Sequence, residues 1–369
     1  MRVLGFMTGT SLDAVDLAVL ETDGERIHKL GPAGEKKLDP STRAKIEAAI
    51  IAARSWKVGT PVPVAFEVAS RAVTLAHLSA ARSFFGRSGL RAADLDLAGV
   101  HGQTVLHEAP GPGRPVGRTA QLVDAEGLAR GLGLPVAFDF RSADMAAGGQ
   151  GAPLAAIYHR ALARWSKLAL PVAVLNLGGV GNVTFIGADD AMAAFDTGPA
   201  NGMIDLLIQQ RTRLRCDVDG ALARAGTVSE EALSFYLAHA HFRSRGPRSL
   251  DRFDFPLEPV AGLSTSDAAA TLTAFAAEAV ARALREAPSQ PRRVVVCGGG
   301  RLNPFLMDQI GARIGALAHS AEEVGWRGDS IEAEAFAYLA ARTRLGLPIS
   351  FPETTGAPRP LAGGQIALP

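Results

Sequence analysis

The chain has 369 residues, 47% of them hydrophobic and 20% charged, with a net charge of +1. That length exceeds what one hydrophobic core usually serves, so two domains are expected. Without a block of like charge, neither nucleic acid nor an anionic membrane is indicated as a partner, and a small ligand fits better.

In chain order, the apolar runs VLGFM (residues 3–7) and VDLAVLE (15–21) flank TGTSLDA, which predicts a hairpin. The first run is too short for a signal-peptide core, because polar residues 8–13 follow at once. Residues 41–87 are alanine-rich with spaced apolar positions and predict helix. LAGVHGQTVLHE (97–108) reads as a buried strand ending in a polar turn, 123–131 as a short helix and PVAFDF (135–140) as a strand. RSADMAAGGQGAP (141–153) reads as a loop. AVLNLGG-VGN-VTFIG (173–187) then repeats the plan of the first hairpin, which suggests two related halves. This is the most apolar part of the chain, but Pro171, Asn176 and several glycines break it, so no membrane span is expected. AMAAF (191–195) predicts a strand, and DTGPANGMIDLLIQQR (196–211) a turn into a helix. A long helix is expected over 266–287, and VVV enters a glycine loop at 297–300. Asn303 then caps a helix with Pro304 at its first position. Residues 332–342 predict a last helix, and the Pro/Gly-rich tail from 348 is expected to be irregular. Alternating strands and helices with glycine loops at strand ends give an α/β fold that binds ligands at those ends. The two cysteines, Cys216 and Cys297, form no disulfide framework and have no zinc-type spacing, which suits a reducing compartment.

Three glycine loops are candidate phosphate clasps, because small residues let backbone N–H groups approach a polyphosphate. They are Gly9-Thr10-Ser11-Leu12-Asp13, Gly178-Gly179-Val180-Gly181, and Gly298-Gly299-Gly300 leading to Asn303. None is a P-loop, and each is also compatible with an ordinary turn. Asp13 and Asp16 add carboxylates suited to a hydrated Mg²⁺. Asp196-Thr197-Gly198 leaves a buried strand ahead of a helix whose N-terminus favours phosphate. There Asp196 is a candidate metal or water ligand, or simply a helix cap. Asp144, in Asp139-Phe140-Arg141-Ser142-Ala143-Asp144, is placed to deprotonate a nucleophile, a surface Asp–Arg pair being the plain alternative. His101 and Gln103 with His107 form a polar cluster at a strand end that suits a substrate or a structural histidine. Glu332 or Glu334 suits sugar hydroxyls or favours a helix start.

The motifs MTGTSLDAVD, HGQTVLH, DFRSADMAAGGQGAPL, NLGGVGNVT, FDTGPANGMID, CGGGRLN, EAEAFAYLA and TTGAPRP run in order from residue 7 to about 360. Together they resemble the anhydro-N-acetylmuramic acid kinases of the actin/hexokinase-like ATPase superfamily. The resemblance implies two actin-like (ribonuclease H-like) domains with a nucleotide and substrate cleft between them, at 1–125 plus about 345–369, and at 126–344. It implies an ATP- and Mg²⁺-dependent enzyme, cytoplasmic and homodimeric, that phosphorylates O6 of 1,6-anhydro-N-acetylmuramic acid and opens its anhydro ring for cell-wall recycling. Gly9 to Asp16, with Ala14 and Val15 among them, match the ATP phosphate segment. Asp144 matches the base, Arg141 falls with the substrate contacts, and Glu332 matches a sugar-contacting glutamate. Asp13 and Asp196 are the candidates to hold the metal through water. Departures from the family pattern are Thr8 for serine, Ala14 and Ala200 for glycine, Val123 before Asp124, and the segment Gly246-Pro247-Arg248-Ser249-Leu250-Asp251-Arg252. The alternatives are a kinase for another anhydrosugar such as levoglucosan, or a non-catalytic nucleotide-binding regulator.

Overall fold

The computed structural model describes residues 1–57, 60–111, 117–251, 254–315 and 318–369. The strands in these residues are β1 (Arg2–Thr8), β2 (Ala14–Thr22), β3 (Ile27–Lys37), β4 (Leu97–Glu108), β5 (Arg118–Leu122), β6 (Val136–Phe138), β7 (Val172–Leu177), β8 (Val180–Ile186), β9 (Met192–Pro199), β10 (Arg293–Cys297), β11 (Ala318–Ser320) and β12 (Gln365–Ala367). The helices are α1 (Pro40–Ser55), α2 (Val64–Ser88), α3 (Ala125–Leu132), α4 (Ser142–Ala146), α5 (Ala156–Trp165), α6 (Asn201–Arg211), α7 (Ala221–Ala225), α8 (Glu230–Leu237), α9 (Thr265–Arg285), α10 (Pro304–Ile314), α11 (Ile331–Arg344) and α12 (Pro352–Thr355).

The chain forms two compact units, Met1–Trp165 with Ser330–Pro369, and Ser166–Asp329. In the first, the sheet runs β12-β6-β4-β1-β2-β3, with β5 on β4. Strands β1, β2 and β3 are antiparallel neighbours, whereas β4 is parallel to β1 and β6 parallel to β4. The second unit repeats this plan as β11-β10-β7-β8-β9: three antiparallel strands, then β10 parallel to β7 and β11 parallel to β10. Two α/β units with the same ribonuclease H-like strand order bear out the two related halves and the fold class expected from the sequence.

Strands β1 and β4 read as near-continuous apolar runs because helices cover both faces of the first sheet. Leu4, Phe6, Leu17, Val19 and Val100 pack with Ile46 of α1 and Phe66, Val73 and Phe84 of α2. On β1 and β4 also lies α11, buried over most of its length. It comes close because no side chain stands at Gly5 or Gly99: a Cβ there would lie 1.8 Å from the Ala333 carbonyl oxygen and 2.3 Å from that of Phe336. In the second unit Leu175, Val183, Phe185 and Phe195 meet the alanine face of α9 and Leu306 and Ile310 of α10. Among the described residues no helix is long and apolar enough to cross a membrane.

Several expectations shift. The boundaries fall at 165/166 and 329/330 rather than at 125/126 and 344/345, because α5 packs on α11, α11 covers β1, and β12 pairs with β6. The tail from 348 is not wholly irregular, since it carries α12 and β12. HGQTVLHE continues β4 rather than turning, held by pairing with β5. The 141–153 segment starts with the short helix α4. The DTGP residues belong to β9, paired with β8, and the turn before α6 is Ala200 alone.

Candidate active site

In the first unit, the β1–β2 turn holds Gly9 to Asp13. Leu12 is buried in the core with a φ of 55°, which anchors the turn and leaves Thr10, Ser11 and Asp13 exposed. The Ser11 hydroxyl (2.6 Å) and the Ala14 N–H (3.0 Å) both donate to Asp13 Oδ1. Ala14, Val15 and Asp16 begin β2. Ala14 lies outside the left-handed region, so its methyl replaces glycine without backbone strain. Thr8, just before the turn, meets His77 of α2, which is fully buried. Its Nδ1 lies 2.7 Å from the Val73 carbonyl, which only accepts, so the ring proton sits there. His77 Nε2 therefore accepts from the Thr8 hydroxyl at 3.1 Å, and burial lowers its pKa to about 4.

Strand β4 carries the next groups. Gln103 is buried; its Nε2 donates to the Thr104 carbonyl and, at 3.5 Å, to that of Gly9, tying β4 to the turn. The His101 ring lies 4.6 Å from that of Phe336 on α11. Its Nε2 receives Arg141 Nη2 at 2.9 Å and Nε at 3.1 Å. A guanidinium only donates, so the His101 proton is on Nδ1. Burial first, and then the Arg141 charge, hold the His101 pKa well below the usual histidine value. His101 Nδ1 and Gln103 Oε1 are buried without a hydrogen-bond partner among the described residues. Such atoms are costly unless a ligand or water completes them. Glu332, exposed in the first turn of α11, stands one helical turn before Phe336 and so on the same face.

Asp144, on α4, is 1% exposed. Its Oδ2 accepts the Gly151 N–H and its Oδ1 the Thr355 hydroxyl, each at 2.6 Å. The Gly151 carbonyl in turn accepts Arg141 Nη1 at 2.7 Å, so one residue links the carboxylate to the guanidinium. The surface Asp–Arg pair is thereby excluded: Arg141 holds His101, and Asp139 is engaged by Ser142 and Gln365. Gly149 lies directly over the carboxylate, where a Cβ would be 2.3 Å from Oδ2.

In the second unit, the carbonyls of Gly178 and Gly179 accept the N–H groups of Ala200, Asn201 and Gly202. The first amides of α6 are thus already paired within the protein, which corrects the expectation that this helix start offers them to phosphate. Asp196 does not cap α6; its Oδ2 accepts the Leu250 N–H at 2.8 Å. Thr197 is buried with its hydroxyl unpartnered among the described residues, and Gly198 follows it within β9, paired with Gly181. Ala200 has a φ of −117°, outside the left-handed region that favours glycine. The Gly298-Gly299-Gly300 stretch is no slack connection. Gly298 has a φ of 76°, and its carbonyl accepts the backbone N–H and Nη1 of the buried Arg301, which is paired with Glu322 and Asp329 at 2.8 Å. Gly299 is exposed near Asn201, and Asn303 caps α10 through the Leu306 N–H. Arg248 stacks on Phe195 and pairs with Glu286; Arg252, in the same departing segment, lies outside the described residues. No cluster of three metal-binding side chains occurs among the described residues. Asp13, an exposed carboxylate, still fits Mg²⁺, which keeps most of its waters and needs few protein ligands.

The family model described as anhydro-N-acetylmuramic acid kinase matches residues 1–368. Proteins of that name from Caulobacter vibrioides and Phenylobacterium zucineum are 60% and 58% identical, over 99% and 100% of this chain and 98% and 100% of their own. The Mesorhizobium japonicum protein is 48% identical over 99% of this chain and 98% of its own. The chain belongs to the anhydro-N-acetylmuramic acid kinase family. It is an enzyme, a kinase, and membership implies ATP as the phosphoryl donor. For this kinase the sequence reading missed Gly151 and Thr355, the two donors to Asp144. Gly151 lies within the DFRSADMAAGGQGAPL motif, and the sequence signal for Thr355 is TTGAPRP, a family-like segment in a tail expected to be irregular.

Proposed function

We propose that this kinase transfers the γ-phosphoryl group of ATP to O6 of 1,6-anhydro-N-acetylmuramic acid while water opens the anhydro bridge, giving N-acetylmuramic acid 6-phosphate for cell-wall recycling. The observation that carries the reading is Asp144: a buried carboxylate held by two donors, beside an arginine–histidine pair with an uncompleted ring N–H. Asp144 takes a proton from the water that attacks C1. The C1–O6 bond breaks, its electrons pass to O6, and O6 attacks the γ-phosphorus in line while ADP leaves. His101 Nδ1–H, Gln103 Oε1, Arg141 and Glu332 bind and orient the sugar. Residues Gly9 to Asp16, Gly178, Gly179, Asp196 to Gly198, and Gly298 to Gly300 with Asn303 contact the nucleotide. Positioning and neutralisation of charge do most of the work in such a transfer. Asp13 and Asp196 would be the residues to hold Mg²⁺ through water, and the ion would supply charge neutralisation on the phosphates. The family resemblance also supports a cytoplasmic homodimer, and sedimentation of the purified protein would test the dimer.

The discriminating experiment is Asp144→Asn. Loss of turnover with ATP binding retained is expected; near-normal turnover would remove Asp144 from the mechanism.

A further inference from the structure

We infer that Thr355 is a positioning residue for the reaction, holding the Asp144 carboxylate in the orientation from which it accepts a proton. The inference rests on the reading of Asp144 as the base. Thr355 lies 211 residues further along the chain, at the end of the four-residue helix α12, and is completely buried. Its hydroxyl has one proton and two acceptors in reach, Asp144 Oδ1 at 2.6 Å and the Phe351 carbonyl at 3.3 Å. The Phe351 carbonyl already accepts the N–H groups of Thr354 and Thr355. A charged acceptor that is also nearer takes the proton, so the hydroxyl donates to Asp144.

The contact is part of a clasp. The Thr355 carbonyl accepts the Gln150 N–H at 2.6 Å, and the next residue, Gly151, donates its own N–H to Asp144 Oδ2. The α12 segment therefore holds the Gly148–Gly151 stretch by its backbone and the carboxylate by its side chain. With each oxygen fixed by one donor, rotation of the carboxylate about its Cβ–Cγ bond is blocked. The lone pairs left on the two oxygens then point in set directions. Arg141 extends the same geometry to His101 through the Gly151 carbonyl. Without the Thr355 donor, only Gly151 restrains the carboxylate, and it swings about that single bond. Thr355 reaches the chemistry through Asp144 and has no part in holding ATP.

The test compares Thr355→Val, which keeps the shape and removes the donor, with Thr355→Ser, which keeps the donor and loses a methyl. Thr355→Val is expected to lower kcat about 10- to 100-fold, the range for one hydrogen bond to a charged group or a small misplacement of a catalytic group. KM for ATP and for the sugar should stay within about twofold, because a proton-accepting geometry is used in the transition state and not in binding. Thr355→Ser should recover most of kcat. Three results would overturn the inference: wild-type kcat in Thr355→Val, a rise in KM with kcat unchanged, or an equal loss in the serine and valine variants, which would make Thr355 a packing residue only. Asp144→Asn is measured alongside. If that variant turns over normally, the base assignment fails. If it is dead and Thr355→Val is unimpaired, the base assignment stands and the positioning role fails alone.

Discussion

Replacing Gly149 by alanine adds one methyl at a place where the structure has no room for it. The new Cβ would stand 2.3 Å from Asp144 Oδ2 and 2.5 Å from both Cγ and Oδ1. Ordinary carbon contacts begin near 3.5 Å, so the carboxylate must retreat by about 1 Å. It cannot do so freely, because Gly151 and Thr355 hold its two oxygens at 2.6 Å. The backbone at 149 lies outside the left-handed region, so the damage comes from the overlap and not from φ. A displacement of that size at a catalytic group costs about 100-fold in rate, and overpacking of this kind costs about 1–3 kcal/mol of stability. Steady-state kinetics of Gly149→Ala by coupled ADP release should show kcat lower by about 100-fold with KM for ATP nearly unchanged. A folded variant with wild-type kcat would refute the reasoning, since the carboxylate would then have moved without consequence or would not be the reacting group.

Acidification should destabilise the fold over a defined window. His77 and His159 are fully buried, and burial lowers both to a pKa of about 4; His241 reaches about 4 through burial and the nearby Arg248. The unfolded chain binds protons on these rings from about pH 6.5 downward, and the folded chain does so only near 4. Stability is therefore full above 6.5 and falls as pH drops towards 4, by about 1.4 kcal/mol per pH unit for each ring in mid-window. Melting temperatures measured at pH 7 and pH 5 should differ clearly; equal values would contradict the buried, neutral rings. Gly298→Ala places a Cβ 2.3 Å from Asn176 Oδ1 at a φ of 76°. The left-handed conformation alone costs about 1–2 kcal/mol, so the melting temperature should fall by about 2–4 °C for each kcal/mol. An unchanged melting curve would show that the glycine loop adapts.

Much of this molecule was readable from sequence where local chemistry and tertiary role agree. The hairpins β1–β2 and β7–β8 are apolar runs around glycine turns, and Asn303 with Pro304 spells the start of α10. Strand β3 escaped because it is an edge strand whose exposed residues include His28, Lys29 and Lys37, interrupted by Gly31 and Pro32. Such polar, proline-bearing edges are how sheets avoid further pairing, and they carry no strand signal. The DTGP residues read as a turn from composition, but pairing with β8 overrides that preference. Asp144 stands out in the sequence through its motif. Its partner Thr355 does not, because no spacing rule connects residues brought together only when α12 folds back on the loop before α5. The compact units divide at 165/166 and 329/330 because β6 and α5 stay with the first sheet and α11 joins it ahead of β12, whose return to the first unit was expected.

The central claim is tested most directly by incubating the purified protein with ATP, Mg²⁺ and 1,6-anhydro-N-acetylmuramic acid and weighing the product by mass spectrometry. A product heavier than the sugar by one phosphoryl group and one water is expected, formed in step with ADP. A phosphorylated product that lacks the added water, or no product at all while ATP is bound, would contradict the account.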